Sequence, residues 1–112
     1  MISLNLRNLQ RSKFEDYIEL HYSSEKLYAQ QVASFMGMSR TTLYRFLKKE
    51  GIDFVIYVNK LRIEHAATLL KTTHEDVSAI GYACGFNNVN YFIKLFKEEK
   101  GITPGKYTKR LD

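Results

Sequence analysis

Residues 32–51 read VASFMGMSRTTLYRFLKKEG, and residues 80–101 read IGYACGFNNVNYFIKLFKEEKG. The two stretches match weakly by identity and well by role. Val32-Ala33 and Met36-Gly37-Met38 answer to Ile80-Gly81 and Cys84-Gly85-Phe86 at an offset of 48 residues. Arg45-Phe46-Leu47-Lys48 answers to Lys94-Leu95-Phe96-Lys97 at 49, and Gly51-Ile52, Phe54 and Tyr57 answer to Gly101-Ile102, Pro104 and Tyr107 at 50. The offset grows by one in each turn region, where a single inserted residue is tolerated best. Each unit reads as a short helix, a glycine-containing turn and a second helix carrying cations. That is the helix-turn-helix pattern, in which the first helix braces and the second is presented to a DNA major groove. One such pattern arises by chance in any helical hairpin. Two in register, each with a basic second helix, are far more specific.

Outward from these units, six glycines and one proline punctuate a chain with no convincing strand alternation. Residues 9–22 are predicted to form an amphipathic helix with Phe14, Tyr17, Ile18 and Tyr22 on one side, ended by Ser23-Ser24. Residues 28–36 give a short helix turning Val32, Ala33 and Met36 inward, with Gly37 as its left-handed terminator. Ser39 is placed to cap a third helix reaching Glu50. Asp53 caps a long helix from Phe54 to about residue 70, offering Val58, Leu61, Ile63, Ala66, Leu69 and Leu70 for burial. Residues 75–84 give a fifth helix ended by Gly85, and Asn87 or Asn88 caps a sixth running to about Lys100. Pro104 suits the first turn of a last short helix through Tyr107 to Arg110. The expected fold is all-α, with about seven helices and two helix-turn-helix subdomains joined by a long linker helix. The expected division is 1–52 for the first helix and first unit, 53–71 for the linker helix, and 72–112 for the second unit.

Composition narrows the function. A chain of 112 residues allows one ordinary domain, and 45% hydrophobic residues suffice for a packed core. One cysteine, Cys84, excludes an intramolecular disulfide framework and a cysteine zinc cluster, and it reads as a buried small hydrophobe. The longest purely apolar run, residues 54–58, is far short of the roughly 18 residues a membrane span needs. No apolar core of a secretory signal stands at the N-terminus, so a cytoplasmic protein is expected. His21, His65 and His74 are scattered without acidic partners at ligand spacing, so neither a metal nor a cofactor is expected. A phosphate-binding glycine loop, a paired-histidine zinc motif and a nucleophile elbow are all absent from the sequence, which argues against an enzyme.

The net charge of +5 is unevenly distributed. Residues 1–38 are neutral, 39–50 carry +3, 51–87 carry −1, and 88–112 carry +3. Two basic blocks on short helices are the usual electrostatic footprint of a nucleic-acid binder, although either alone is equally a solvated face. At 100° per residue, Leu43, Phe46 and Leu47 share one side of the third helix, while Thr41, Arg45 and Lys48 lie opposite with Tyr44 at the flank. In the sixth helix Phe92, Leu95 and Phe96 make the inner face, and Asn90, Lys94 and Lys97 the outer one. Both units thus expose a short polar residue followed by two cations. Arginine can take guanine bidentately, asparagine can take adenine, and threonine can meet a thymine methyl. Lys48, Lys49, Lys97 and Lys100 suit phosphates, which position a protein without specifying sequence.

The candidate DNA-contacting set is Arg40, Thr41, Tyr44, Arg45 and Lys48, then Asn88, Val89, Asn90, Lys94 and Lys97, with Lys106 near the last helix start. Each has a plainer alternative. Arg45, the foremost base reader, equally suits a salt bridge or a phosphate. Asn88 suits a helix cap, Val89 suits packing on the turn, and Tyr91 suits packing or a phosphate. Arg62, on the linker helix, reads as structural. Competing functions are non-specific nucleic-acid binding by charge alone, and a helical protein-interaction module. The duplicated geometry argues against the first. The second needs an exposed apolar stripe, and Phe46, Leu47, Leu95 and Phe96 are assigned to cores.

Arg62-Ile63, Ala66, Leu69-Leu70, Ile80, Gly85-Phe86, Tyr91-Phe92, Phe96-Lys97, Gly101, Thr103-Pro104 and Tyr107 together resemble the signature of the AraC-type transcription regulators. Ala33, Gly37-Met38-Ser39-Arg40, Leu43, Arg45 and Leu47-Lys48 fit the first unit of the same family, and the resemblance runs over residues 14–110. It implies a bilobal bacterial regulator domain, acting at the nucleoid, whose two recognition helices enter successive major grooves on one face of bent DNA. Most members carry a separate effector, dimerisation or receiver domain, so the chain is expected to be either an excised C-terminal domain or a short standalone regulator like the few single-domain members. A surface for RNA polymerase belongs to the protein-interaction reading and can coexist with DNA binding. Three positions depart from the family pattern. Gly81 stands where alanine is usual, which is expected to loosen the fifth helix by about 0.5–1 kcal/mol. Ile93-Lys94 replaces a common serine-arginine pair, which weakens the case for bidentate guanine reading in the second unit. Thr108 follows Tyr107 where arginine is usual, leaving Lys109 or Arg110 as substitutes.

Overall fold

Asn5 opens the first helix, its side-chain oxygen accepting the Arg7 N–H at 2.9 Å. The computed structural model describes the backbone of residues 5–111 and the side chains of residues 5–108, so Lys109 and Arg110 as substitutes at position 108 lie outside the described side chains. Among the described residues there are seven helices and no strand. They are α1 (Leu6–His21), α2 (Ala29–Phe35), α3 (Arg40–Lys49), α4 (Phe54–Thr72), α5 (Val77–Ala83), α6 (Val89–Lys100) and α7 (Pro104–Leu111). Three of the helix starts fall at capping residues read from the sequence. Ser39 Oγ accepts the Thr42 N–H at 3.1 Å, Asp53 Oδ1 that of Ile56 at 3.0 Å, and Asn88 Oδ1 that of Tyr91 at 3.0 Å. Each such cap contributes about 1 kcal/mol by satisfying a donor the helix leaves unpaired. The first helix starts at Leu6 rather than residue 9, because the Asn5 cap adds most of a turn.

The apolar side chains gather into two cores. Phe14, Ile18, Val32, Ala33, Leu43, Leu47, Phe54 and Val58 form the first, with Phe14 set between Phe54 and Tyr57 at ring-centre distances of 6.4 and 5.2 Å. Ile63, Ala66, Ala67, Leu70, Ile80, Cys84, Phe86, Phe92 and Phe96 form the second. Here Phe92 meets Phe86 at 5.1 Å and Phe96 at 6.0 Å. Helix α4 belongs to both. Its N-terminal half buries Phe54 and Val58, and its C-terminal half buries Ile63, Ala66, Ala67 and Leu70, which at 100° per residue lie on roughly the opposite side. This two-faced burial leaves Leu61 and Leu69, expected inside, only half-buried on the shoulders between sectors. Phe46 and Leu95 are half-buried as well, each packed against the edge of its core rather than enclosed in it. Phe46 lines a surface groove where α3 meets α1, and Leu95 lines one where α6 meets α4.

Gly81 is buried, and a Cβ built on it would stand 2.7 Å from Phe92 Cδ2. Glycine is therefore what lets the aromatic core close onto α5. Gly81→Ala would gain about 1 kcal/mol in helix propensity and lose more by displacing a fully buried ring. A net destabilisation of about 1–2 kcal/mol is expected in urea unfolding. A more stable variant would show that Phe92 has room to move.

Candidate nucleic-acid interface

The repeat seen in the sequence is also a repeat of backbone hydrogen bonds. In the first turn Gly37 N–H donates to Ser34 O at 3.1 Å and Met38 N–H to Ala33 O at 2.9 Å. In the second, Gly85 N–H donates to Tyr82 O at 3.0 Å and Phe86 N–H to Gly81 O at 3.1 Å. Both glycines have positive φ, 69° and 101°, the left-handed conformation that closes a helix and turns the chain. Each turn leads directly into a capped helix, so α3 and α6 leave their turns in the same way.

Arg40, Thr41, Tyr44, Arg45 and Lys48 are all exposed, and together they line one open concavity along α3. Leu43 and Leu47 anchor the opposite side of that helix in the first core. On α6, Asn90, Lys94 and Lys97 are exposed while Phe92 and Phe96 anchor the other side. Val89 is half-buried against the second core. Asn88 is exposed and spends Oδ1 on the cap, which leaves its amide N–H groups free. Lys106 is exposed in the first turn of α7. Tyr91 Oη accepts a hydrogen bond from Asn59 Nδ2 at 3.2 Å, tying α6 to the linker helix.

Some cations are held by the scaffold and others are not. None of Arg40, Arg45, Lys48, Lys94, Lys97 or Lys106 is in an ion pair among the described residues, and Lys13, Lys26, Lys49 and Lys71 are in none either. Other cations are engaged: Lys60 with Glu99 at 3.8 Å, and Lys100 with Glu64 at 2.6 Å. Lys100, expected at a phosphate, is thus held by α4. Arg62 donates from Nε to Tyr22 O at 2.8 Å and from a terminal nitrogen to Ser24 O at 2.7 Å, a structural role as read from the sequence. Burial lowers the pKa of Arg62 from its ordinary value. Arg7 and Arg11 both engage Glu50 at the end of α3, an arrangement the sequence did not suggest because the partners are about forty residues apart. The Arg7 hydrogen bond, foremost, holds the Glu50 carboxyl below its usual range.

His65, His21 and Cys84 are packed into the scaffold. His65 stacks on Tyr22 at 3.9 Å and meets Glu19 at 2.8 Å, and His21 packs on Tyr17 at 4.2 Å. Cys84 is fully buried, and burial pushes its thiol up to about 11, which leaves it protonated and unreactive. Among the described residues no group of three metal-ligating side chains occurs, and no helix is long and apolar enough to cross a membrane.

Two helix-turn-helix units on one shared helix, each presenting unpaired cations on its second helix, define a two-headed DNA-binding domain. Residues 32–110 match the helix-turn-helix domain family HTH_18. The chain is 40% identical over 76 residues to the transcriptional activator PerA of Escherichia coli O127:H6, covering 68% of this chain and 28% of PerA. It is 37% identical over 89 residues to the transcriptional activator RhaS of Enterobacter sp. strain 638, covering 79% and 32%. The C-terminal domain of the response regulator yesN from Fusobacterium nucleatum superposes with a TM-score of 0.79 at 32% identity, covering 88% of this chain and 96% of that one. The DNA-binding domain of AdpA, solved with a target DNA, shares the fold at a TM-score of 0.79 and 22% identity, covering 88% and 89%. The chain belongs to the AraC-type family of helix-turn-helix transcription regulators, as a DNA-binding domain. It spans about a third of the length of the curated relatives it matches.

Proposed function

We propose that this domain reads duplex DNA sequence with both units, α3 and α6 entering successive major grooves on one face of a bent duplex. The division is 1–52 and 72–112 for the two reading lobes, with 53–71 as the connector. The observation that carries the reading is the matching pair of exposed polar faces: Thr41, Arg45 and Lys48 on α3, and Asn90, Lys94 and Lys97 on α6, each a short polar residue followed by two cations on the side opposite the buried anchors. Arg40 and Tyr44 flank the first face, and Asn88, Val89 and Lys106 flank the second. The domain controls transcription in the bacterial cytoplasm, in contact with RNA polymerase and joined to an effector, dimerisation or receiver domain. That last element fits the C-terminal placement of the yesN relative in a response regulator.

Selection from random duplex DNA at about 0.15 M salt, where charge alone no longer dominates, is the first test. Two enriched elements about 10 base pairs apart are expected, one for each unit. One enriched element would mean that a single unit reads bases. No enrichment, with binding that vanishes steeply as salt rises, would favour charge-driven association instead. Within the enriched site, Arg45→Ala is expected to cost about 1–3 kcal/mol and to relax base preference in one element. Lys97→Ala should weaken all sequences alike and lower the salt slope by about one unit. Equal loss on every sequence for Arg45→Ala would make it a phosphate contact.

A further inference from the structure

A groove of about 350 Å³ runs between the start of α1 and α3, and Arg7, Gln10, Arg45, Phe46, Lys49 and Glu50 are among the residues that line it. Arg45 also lines the open concavity of the proposed reading face, so the groove is continuous with that face. Arg7 donates from Nε to the Glu50 carboxylate and from a terminal nitrogen to Lys49 O at 3.3 Å, and its side chain is still 61% exposed. A guanidinium has five N–H donors, so three remain unused. Glu50 does not oppose an anion here, because its carboxylate is nearly enclosed and shared between Arg7 and Arg11. What the groove presents outward is Arg7, Arg45 and Lys49.

We propose that Arg7 is a DNA-backbone contact: a strand whose base edges meet Arg45 passes along this groove and brings a phosphate within reach of Arg7 and Lys49. The inference rests on the reading of α3 as a recognition helix and widens the footprint. Arg7 lies on α1, outside residues 32–110 that match the helix-turn-helix family. The free N–H groups supply charge-assisted hydrogen bonds to phosphate oxygens, while the bonds to Glu50 and Lys49 O hold the guanidinium in place. Glu50 is thereby a positioning residue for the contact.

The test is binding of the 112-residue chain to its enriched duplex over a range of salt concentrations. Arg7→Gln keeps amide donors for Glu50 while removing the charge, and it is expected to lower the slope of log affinity against log salt by about 0.9. Arg7→Lys should restore the slope, and Glu50→Gln should leave it at the wild-type value. Duplexes carrying one neutral methylphosphonate linkage each then locate the phosphate, as the linkage that weakens the wild-type chain and leaves Arg7→Gln unaffected. Arg7→Gln with a wild-type slope, or no such linkage, overturns the proposal if Lys97→Ala still lowers the slope. If Lys97→Ala also leaves the slope unchanged, the placement of Lys97 at a phosphate fails as well, whereas the reading of duplex DNA itself fails only where the selection enriches no sequence.

Discussion

Arg62→Ala is expected to destabilise the domain by about 3 kcal/mol in urea unfolding, since hydrogen bonds to a charged group contribute about 1.5–3 kcal/mol each. The side chain leaves the middle of α4 and spends its fork on Tyr22 O at 2.8 Å and Ser24 O at 2.7 Å, both just past the end of α1. Its guanidinium also lies over the Phe86 ring at 5.8 Å, in the turn of the second unit. One side chain therefore fastens the first lobe's helix to the second lobe's turn. Arg62→Lys should recover only part of the loss, because a single ammonium cannot match two carbonyls as the planar fork does. The functional consequence is geometric. Lobes joined less firmly should tolerate a base pair inserted between the two half-sites better than the wild type does. A variant as stable as the wild type, with the same spacing requirement, would show that α4 alone sets the lobe orientation.

The sequence made the helices legible because their ends are chemical signals. Ser39, Asp53 and Asn88 cap at the expected positions, and Gly37, Gly51, Gly85 and Gly101 all take positive φ just past helix ends. The pairing of the two units was legible because like turns demand like residues at a fixed offset. Burial along α4 was only half legible. A periodicity argument seeks one apolar stripe, whereas this helix serves two cores on opposite sides, and Leu61 and Leu69 fall between them. By sequence Gly81 is only a weak helix position, and nothing local announces that Phe92 occupies the space of its missing Cβ.

The candidate site divides in the same way. That Arg45 and Lys97 lie on outward faces follows from helical spacing, which sequence carries. Which cations are spent elsewhere does not, because their partners are distant in the chain. Lys97 and Lys100 look alike as letters, yet Lys100 reaches Glu64 on α4 while Lys97 stays free. Arg7 and Glu50 were invisible as a pair for the same reason. Ion pairing across helices depends on packing, and packing decides which basic residues are left for DNA.

Gly85→Ala is expected to be among the most damaging single-methyl changes in the domain, costing about 3 kcal/mol as backbone strain and a lost, half-buried, charge-assisted hydrogen bond combine. At φ 101° an L-residue is strained before any contact is considered. A Cβ there would also stand 2.5 Å from Tyr22 O and 2.8 Å from Arg62 Nε, pressed against both the acceptor and the donor of the bond that joins the lobes. Gly37, its counterpart in the first unit, provides the control. It has φ 69° with nothing within 4 Å of an added Cβ, so Gly37→Ala should cost only the left-handed penalty of about 1–2 kcal/mol. The two alanine variants compared by urea unfolding separate conformational strain from the clash. Combining Gly85→Ala with Arg62→Ala extends the argument, since residues in direct contact do not add. Once the guanidinium is gone, part of the methyl's cost has already been incurred, and the double variant should lose less than the two singles together. Equal losses at Gly37 and Gly85, or strict additivity with Arg62, would mean that Gly85 is required for its turn alone and not for the approach of Arg62 to Tyr22.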